Sequence, residues 1–299
     1  MIPTFVIFLR EGIEASMIIA ILLSYLGRIH QRQHFRDVYL GVAAAFVLVI
    51  VGGVAAYFLI RHYNGSNVQT YFETGTYLLA TSILTGMTLW MHKHAPTMAT
   101  ELQERSDLAL SKGTRVGLRL LAFQAVGREG LETMVFTLAI VFASSRQGVT
   151  PAHGNVVLVG AAAGLLVALA LAFAIYRLGT RLNLKVFFRT LALVLMFFAA
   201  GLLVDAVQNL QQLGWLPFGT HVLWDTSSAI TQSSNFGDVL HSLVGYADRP
   251  TILQAAVWLI YIVASVVAFV RLGRRARPVN PVARAAPSTS SASKVSPKT

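Results

Sequence analysis

Runs of about 20 apolar residues, separated by short polar stretches, recur along nearly the whole chain. Wound as a helix, a run of that length crosses a hydrocarbon core about 30 Å thick. Seven can be drawn, at about 3–27, 38–60, 71–91, 116–143, 155–177, 187–209 and 251–271. Tyr71, Trp90, Tyr176 and Trp258 fall near their ends, where aromatic rings favour the membrane interface. The pattern predicts an all-α, polytopic membrane protein with seven transmembrane helices. The opening residues, MIPTFVIFLREGIEAS, have no basic leader and no small-residue cleavage site, so the first run is expected to persist as the first span.

Composition agrees with that reading. The chain has 299 residues, 55% hydrophobic and only 12% charged. Its length alone would suggest two soluble domains, but the recurring spans argue for one membrane domain over about 1–272. The net charge of +11 would suit nucleic acid if it were gathered on one face; it is instead divided among short loops, which excludes that partner. With Arg10 and Arg128 set aside, 19 basic residues lie on one side of the predicted topology, and only Arg61, Arg146 and Arg249 on the other. Basic loops stay cytoplasmic, so the N-terminus is expected outside and the C-terminus inside. Residues 273–299, basic and then rich in Ser, Ala and Pro, read as a disordered cytoplasmic tail able to touch anionic membrane lipid. There is no cysteine, so a metal would have to be held by oxygen or imidazole.

Within this apolar background one block occurs twice, as Arg10-Glu11-Gly12-Ile13-Glu14 and as Arg128-Glu129-Gly130-Leu131-Glu132. A charge at the bilayer centre costs roughly 2.5–3.5 kcal/mol even on the lenient insertion scale, so six must be compensated or used. Glutamates at i and i+3 share one helical face, and two such helices meeting would gather four carboxylates. Arg10 and Arg128 can neutralise those carboxylates when no ion is present. Gly12 and Gly130 are expected to let the two motif helices approach closely.

The halves also resemble one another. With the second motif laid on the first, Phe5 meets Phe123, and one residue of slippage later Gly41 meets Gly160 and Tyr57 meets Tyr176. Three helices therefore repeat, about 1–92 and 114–210, with an extra helix at 251–271. A repeat of odd helix number inverts its copy, as in many secondary transporters with midplane sites. Glu11 and Glu14 then lie roughly 12–17 Å from the outer end of their helix, and Glu129 and Glu132 roughly 20–24 Å from the inner end of theirs. Both pairs fall at similar depth, as one shared cation site requires.

The doubled block, in the first and fourth of seven helices, resembles the oxidase-dependent iron permease family, which includes fungal high-affinity permeases and bacterial EfeU-type and Ftr-type permeases. The resemblance covers about 1–272. It implies iron import across the plasma or inner membrane, with Glu11, Glu14, Glu129 and Glu132 as iron ligands and iron as transported substrate rather than permanent cofactor. It further implies ferric iron delivered by a separate oxidase or periplasmic iron-binding protein. No soluble extension precedes the first span, so a capture domain is expected on another protein. The residues alone leave open another divalent cation, such as manganese, lead or zinc, or a membrane subunit whose Arg–Glu pairs are structural. A di-iron or HExxH enzyme is disfavoured, because no histidine lies near either motif.

Lesser candidates are Glu73 and Asp205, expected near the outer ends of the third and sixth spans as an outer vestibule for cations. Asp225, Asp238, Asp248, His221 and His241 belong to a long, polar outer loop over 210–250. His92 and His94 read as an interfacial anchor beside Lys93, and Glu101, Glu104 and Asp107 as a solvated face.

Overall fold

The structure is a computed structural model describing residues 2–62, 66–94, 98–111, 115–145, 152–178, 184–232 and 234–275. Among the described residues the chain is all-helical: α1 (Ile2–Arg28), α2 (Phe35–His62), α3 (Asn67–His94), α4 (Met98–Ser111), α5 (Arg115–Ser145), α6 (Ala152–Leu178), α7 (Leu184–Gln212), α8 (Asn235–Val244) and α9 (Ile252–Arg275). All seven predicted runs coincide with the long helices. Four of these, α2, α6, α7 and α9, are by themselves long and apolar enough to cross a membrane. The others, α1, α3 and α5, are diluted by the motif charges, by the threonines of α3 and by Arg115 and Arg119. Of the four apolar helices α7 is the most enclosed, whereas α3 keeps an exposed face with Tyr71, Phe72, Leu78 and Leu79.

Two of the helix pairs share a direction, and their glycines reveal it. A β-carbon on Gly12 of α1 would stand 2.8 Å from the Cβ of Ala168 on α6, and one on Gly164 would stand 3.0 Å from the Cβ of Phe8. Residue numbers rise together on both helices, so α1 and α6 run the same way. The same holds for α5 and α2, where Gly130 meets Val49 and Gly41 meets Ala122. By contrast α3 and α7 oppose one another: Thr81 Oγ1 donates to the Ala199 carbonyl at 3.2 Å, and the Tyr71 ring packs edge-on against Trp215 at 5.8 Å. The outward faces of α2 and α6 are apolar and exposed, with Val47, Ile50, Phe58, Leu158, Leu166 and Phe173 among them. Such faces are suited to lipid.

Apolar packing forms two main layers. One joins Ile7, Tyr77, Phe136, Leu195, Phe198 and Leu202; the other joins Ile18, Leu22, Leu26, Leu102, Leu118 and Val126. Helix α4 belongs to the second layer through Leu102, and Ser106 is wholly buried. Tyr25 of α1 donates to Asp107 at its outer edge. Glu101, Glu104 and Asp107 are exposed, as expected of a solvated face. Residues 276–299, which hold most of the predicted tail, lie outside the described residues.

The stretch 210–250 departs from the expected polar loop. Ser234 caps α8 by accepting from the Gly237 N–H at 3.0 Å, and Gly245, at φ +74°, ends it. A β-carbon on Gly245 would lie 2.6 Å from the Gly201 Cα of α7, and Trp258 Nε1 of α9 donates to the Val244 carbonyl at 2.7 Å. Gly201 is ten residues from Gln211, whose side chain accepts from Thr251 just before α9. The end of α8 therefore lies about 15 Å along α7 from that level. The chain then returns to the level of the α7 C-terminus and pairs with 219–226, as in Leu223 N–H to Pro250 O at 2.9 Å. Rather than projecting into water, α8 is packed between helices.

Candidate metal centre

Successive residues on an α-helix turn by about 100°, so Glu11 and Glu14 project only about 60° apart. All four motif glutamates are buried, at 3%, 5%, 7% and 8% exposure in chain order. The two apolar layers explain their dryness. Ile7 of α1 and Phe136 of α5 lie in one layer, while Ile18 and Val126 lie in the other. The two helices thus cross in opposite directions, with Glu11 and Glu14 level with Glu132 and Glu129 between the layers.

Carboxylate oxygens of Glu11, Glu14 and Glu129 lie within 4.8 Å of one another. Arg10 is enclosed with them: Nη1 donates to Glu11 Oε1 at 2.7 Å, and Nε is 3.2 Å from Glu14 Oε1 without the alignment of a hydrogen bond. Its Nη2 reaches Met91 Sδ at 3.4 Å. The fourth acid, Glu132, is occupied differently: Arg128 Nε donates to its Oε1 at 3.0 Å, and that guanidinium lies 5.1 Å over the Trp90 ring. The expected four-carboxylate set is thus three converging oxygens and a fourth acid held beside them.

Among the described residues, one oxygen of each acid remains buried without a hydrogen-bond partner: Glu11 Oε2, Glu14 Oε1, Glu129 Oε2 and Glu132 Oε2. A buried polar atom left this way costs about 1–3 kcal/mol, and more if charged. A cation among three such carboxylates would satisfy them together. The donor set is entirely oxygen, which suits a hard or borderline ion rather than a thiophilic one.

The glycine expectation needs correction. Gly12 meets Ala168 and Leu165 of α6, and Gly130 meets Val49 of α2, so they admit the outer helices and not the opposite motif helix. The reason is angular: Gly12 lies about 130° round the helix from the midpoint of its two glutamates. What faces α5 is carboxylate, and what faces α6 is the glycine.

Glu73 and Asp205 are both buried, at 4% each. Glu73 Oε1 accepts from Gln69 Nε2 at 2.8 Å, and Asp205 Oδ1 lies 3.4 Å from His241 Nε2. Sequence reasoning placed His241 in a hydrated loop and missed this pairing. The signal was present in Ser234 before an apolar-periodic stretch and Gly245 after it, the start and stop of a helix. It also missed Met91 and Trp90 of α3 as neighbours of the motif arginines. Asp225 pairs with Arg249 at 2.9 Å on the surface, Asp248 Oδ2 accepts from the Gln232 N–H at 3.3 Å, and His221 is exposed. The side chains of His92, His94 and Asp238 lie outside the described residues.

The model of the iron permease FTR1 family matches residues 1–274. A relative named ferrous iron permease EfeU, from Escherichia coli O6:K15:H31 strain 536, is 34% identical over 275 residues, covering 90% of this chain and 95% of its own. The protein of the same name from Shigella sonnei strain Ss046 is 33% identical over 274 residues, with 90% and 95% covered. That from Yersinia pestis is 32% identical over 274 residues, with 90% and 93% covered. No solved structure matches.

Proposed function

The chain belongs to the iron permease FTR1 family, and on that premise we propose that it imports iron through a carboxylate site shared by α1 and α5. The observation that carries the reading is the convergence of Glu11, Glu14 and Glu129, each with a buried oxygen that has no partner. These three are the resting ligands in this reading. Glu132 joins them when it is released from Arg128, and Arg10 balances the charge of the empty site.

Seven spans, with the N-terminus outside and the C-terminus cytoplasmic, form the accompanying topology. Support comes from helix direction: α1 and α6 run parallel, as do α2 and α5, which requires that α4 not cross. An inverted repeat of α1–α3 on α5–α7 is supported by matched packing. The Gly12–Ala168 contact becomes Gly130–Val49 when the halves are superposed with the single slippage that aligns Gly41 with Gly160. The apolar layers on either side of the glutamates describe an occluded state. Transport then consists of opening the Ile7–Phe136 layer outward and the Ile18–Val126 layer inward, in alternation.

Iron-55 uptake into proteoliposomes tests this. Glu14→Gln and Glu129→Gln should each abolish uptake while the protein still inserts and purifies; wild-type uptake in both would overturn the reading. The same assay, run with ferrous iron under reductant and with ferric iron produced by a multicopper oxidase, separates an oxidase-fed route from direct ferrous import.

A further inference from the structure

We infer that a water-filled crevice enters the inner half of the molecule along the Gln124–Arg128 face of α5 and ends at the Arg128–Glu132 pair. Its use as a release route rests on the reading above, but the crevice itself is argued from helix lengths and uncovered side chains.

Helix α3 is too short to cover α5. Met91 meets Arg10 and the Trp90 ring lies under Arg128, so the motif stands level with the last turns of α3, which ends at His94. On the inner side of that level α5 reaches back to Arg115, about 20 Å from Arg128 along the axis. Helix α4 fills only part of the space so left. Its Leu102 packs in one layer with Leu118 and Ala122, which lie about 80° and 120° round α5 from Arg128, whereas Gln124 lies about 40° to the other side.

The face left uncovered among the described residues is polar. The Arg128 side chain is 50% exposed, and Gln124, one turn nearer the inner end, is exposed as well. Depth is set by the charged cluster at the inner end of α2, where Asp37 Oδ1 lies 2.8 Å from Arg119 Nε and its Oδ2 lies 3.0 Å from His34 Nδ1. Counted along α5 from Arg119, Gln124 is about 8 Å further in and Arg128 about 14 Å. A cation at such depth faces protein or a water-filled cavity and not lipid tails. Nor can Arg128 snorkel to the inner surface. Its Nε is bonded to Glu132, one turn in the opposite direction. Helix α2 gives the contrast: Val47, two residues before the Val49 that meets Gly130, stands at the level of Arg128 and is 62% exposed, but is apolar like its exposed neighbours Phe46, Leu48 and Ile50.

On this flank one ion pair separates the crevice from the carboxylates. Opening the inner layer then has to join the acids to water already standing at Arg128. A departing ion displaces that guanidinium from Glu132 and next meets the amide oxygen of Gln124, so Gln124 lines the route and Arg128 stands at its head.

The chain contains no cysteine, so an introduced thiol is the only one it carries. Full-length Gln124→Cys, Val47→Cys and Glu104→Cys, all at exposed positions, are placed in inside-out membrane vesicles and treated with the membrane-impermeant thiol reagent MTSES. Only a thiolate in water reacts, so Gln124→Cys should be labelled within about tenfold of the rate at Glu104→Cys, and Val47→Cys roughly a hundredfold more slowly. Labelling of Gln124→Cys as slow as that of Val47→Cys would overturn the crevice and assign this face to lipid or to a second copy of the chain. Labelled Gln124→Cys should then take up iron severalfold more slowly than before treatment, with labelled Glu104→Cys unchanged. Full uptake after complete labelling at 124 would overturn the release route. Failure of the transport reading registers separately, as undiminished iron uptake in Glu14→Gln and Glu129→Gln.

Discussion

In α1 the motif arginine is enclosed, its side chain 4% exposed and set between Glu11 and Glu14; in α5 the corresponding arginine is 50% exposed, bonded to Glu132 and resting on Trp90. The five-residue blocks match in chemistry, so their neighbours make the difference. Helix α3 runs past both and offers Met91 to one guanidinium and an indole face to the other. As a result Glu129 enters the shared cluster with no ion-pair partner of its own among the described residues, while Glu132 is restrained. The two motif blocks are alike, and one helix, α3, touching both arginines with different side chains is enough to make their settings unequal.

The largest effect should follow from the acids themselves. Glu129→Gln is expected to lower iron uptake in proteoliposomes by about a hundredfold or more, since even residues that only support a metal ligand cost ten- to a hundredfold. Glu132→Gln should fall short of that, because its carboxylate is held outside the converging three. Equal losses would mean that the asymmetry belongs to the occluded state and not to transport.

Removing the arginines probes the same contrast through stability. Arg10→Leu leaves two enclosed carboxylates without their cation and should cost about 3–5 kcal/mol. Arg128→Leu exposes only Glu132 and forfeits a ring contact, a loss of about 2 kcal/mol. Thermal unfolding of purified protein in detergent should rank Arg10→Leu well below Arg128→Leu, and the reverse order would break the comparison.

Much of this was legible beforehand, for physical reasons. Spans are written in long apolar runs because the bilayer demands them, and all seven runs coincide with helices. The glutamates were legible because intramembrane charge is rare. The arginine asymmetry was not, because the motif's own residues are the same in both copies and only long-range packing brings α3 alongside. The direction of Gly12 was available from helical angle, yet close approach alone does not say which neighbour approaches. Helix α8 was hidden by composition: Asn235, Ser242 and the flanking polar residues resemble a hydrated loop, and its Asp205–His241 partnership joins residues far apart in sequence.

The glycines give a finer comparison. Gly12→Ala would set its methyl 2.8 Å from the Cβ of Ala168, an atom fixed to backbone, whereas Gly130→Ala would meet a γ-methyl of Val49 at 2.6 Å but its Cβ only at 3.4 Å, one bond further from the backbone. Overpacking costs about 1–3 kcal/mol, and Gly12→Ala should lie toward the upper end. Ala168→Gly should restore Gly12→Ala, and Val49→Ala should restore Gly130→Ala. Each rescue is read as recovered thermal stability, and failure of both would refute the parallel pairing of α1 with α6 and of α2 with α5.

The smallest effect isolates what distinguishes the second arginine. Trp90→Leu keeps an apolar side chain on α3 but removes the ring face beneath Arg128, a contribution of about 0.5–1 kcal/mol at a half-exposed site. Its consequence should be larger for function than for stability, because a guanidinium without its platform is freer to turn fully onto Glu132 and withhold that acid from the ion. Iron uptake by Trp90→Leu should therefore fall severalfold with little change in unfolding temperature, while Trp90→Phe, which keeps a ring face, should recover most of it. In an Arg128→Leu background Trp90→Leu should lose most of its effect on uptake, since the cation that rests on the indole is gone. An undiminished Trp90→Leu effect in that background would assign the indole to packing and leave the inequality of the two motifs to burial alone.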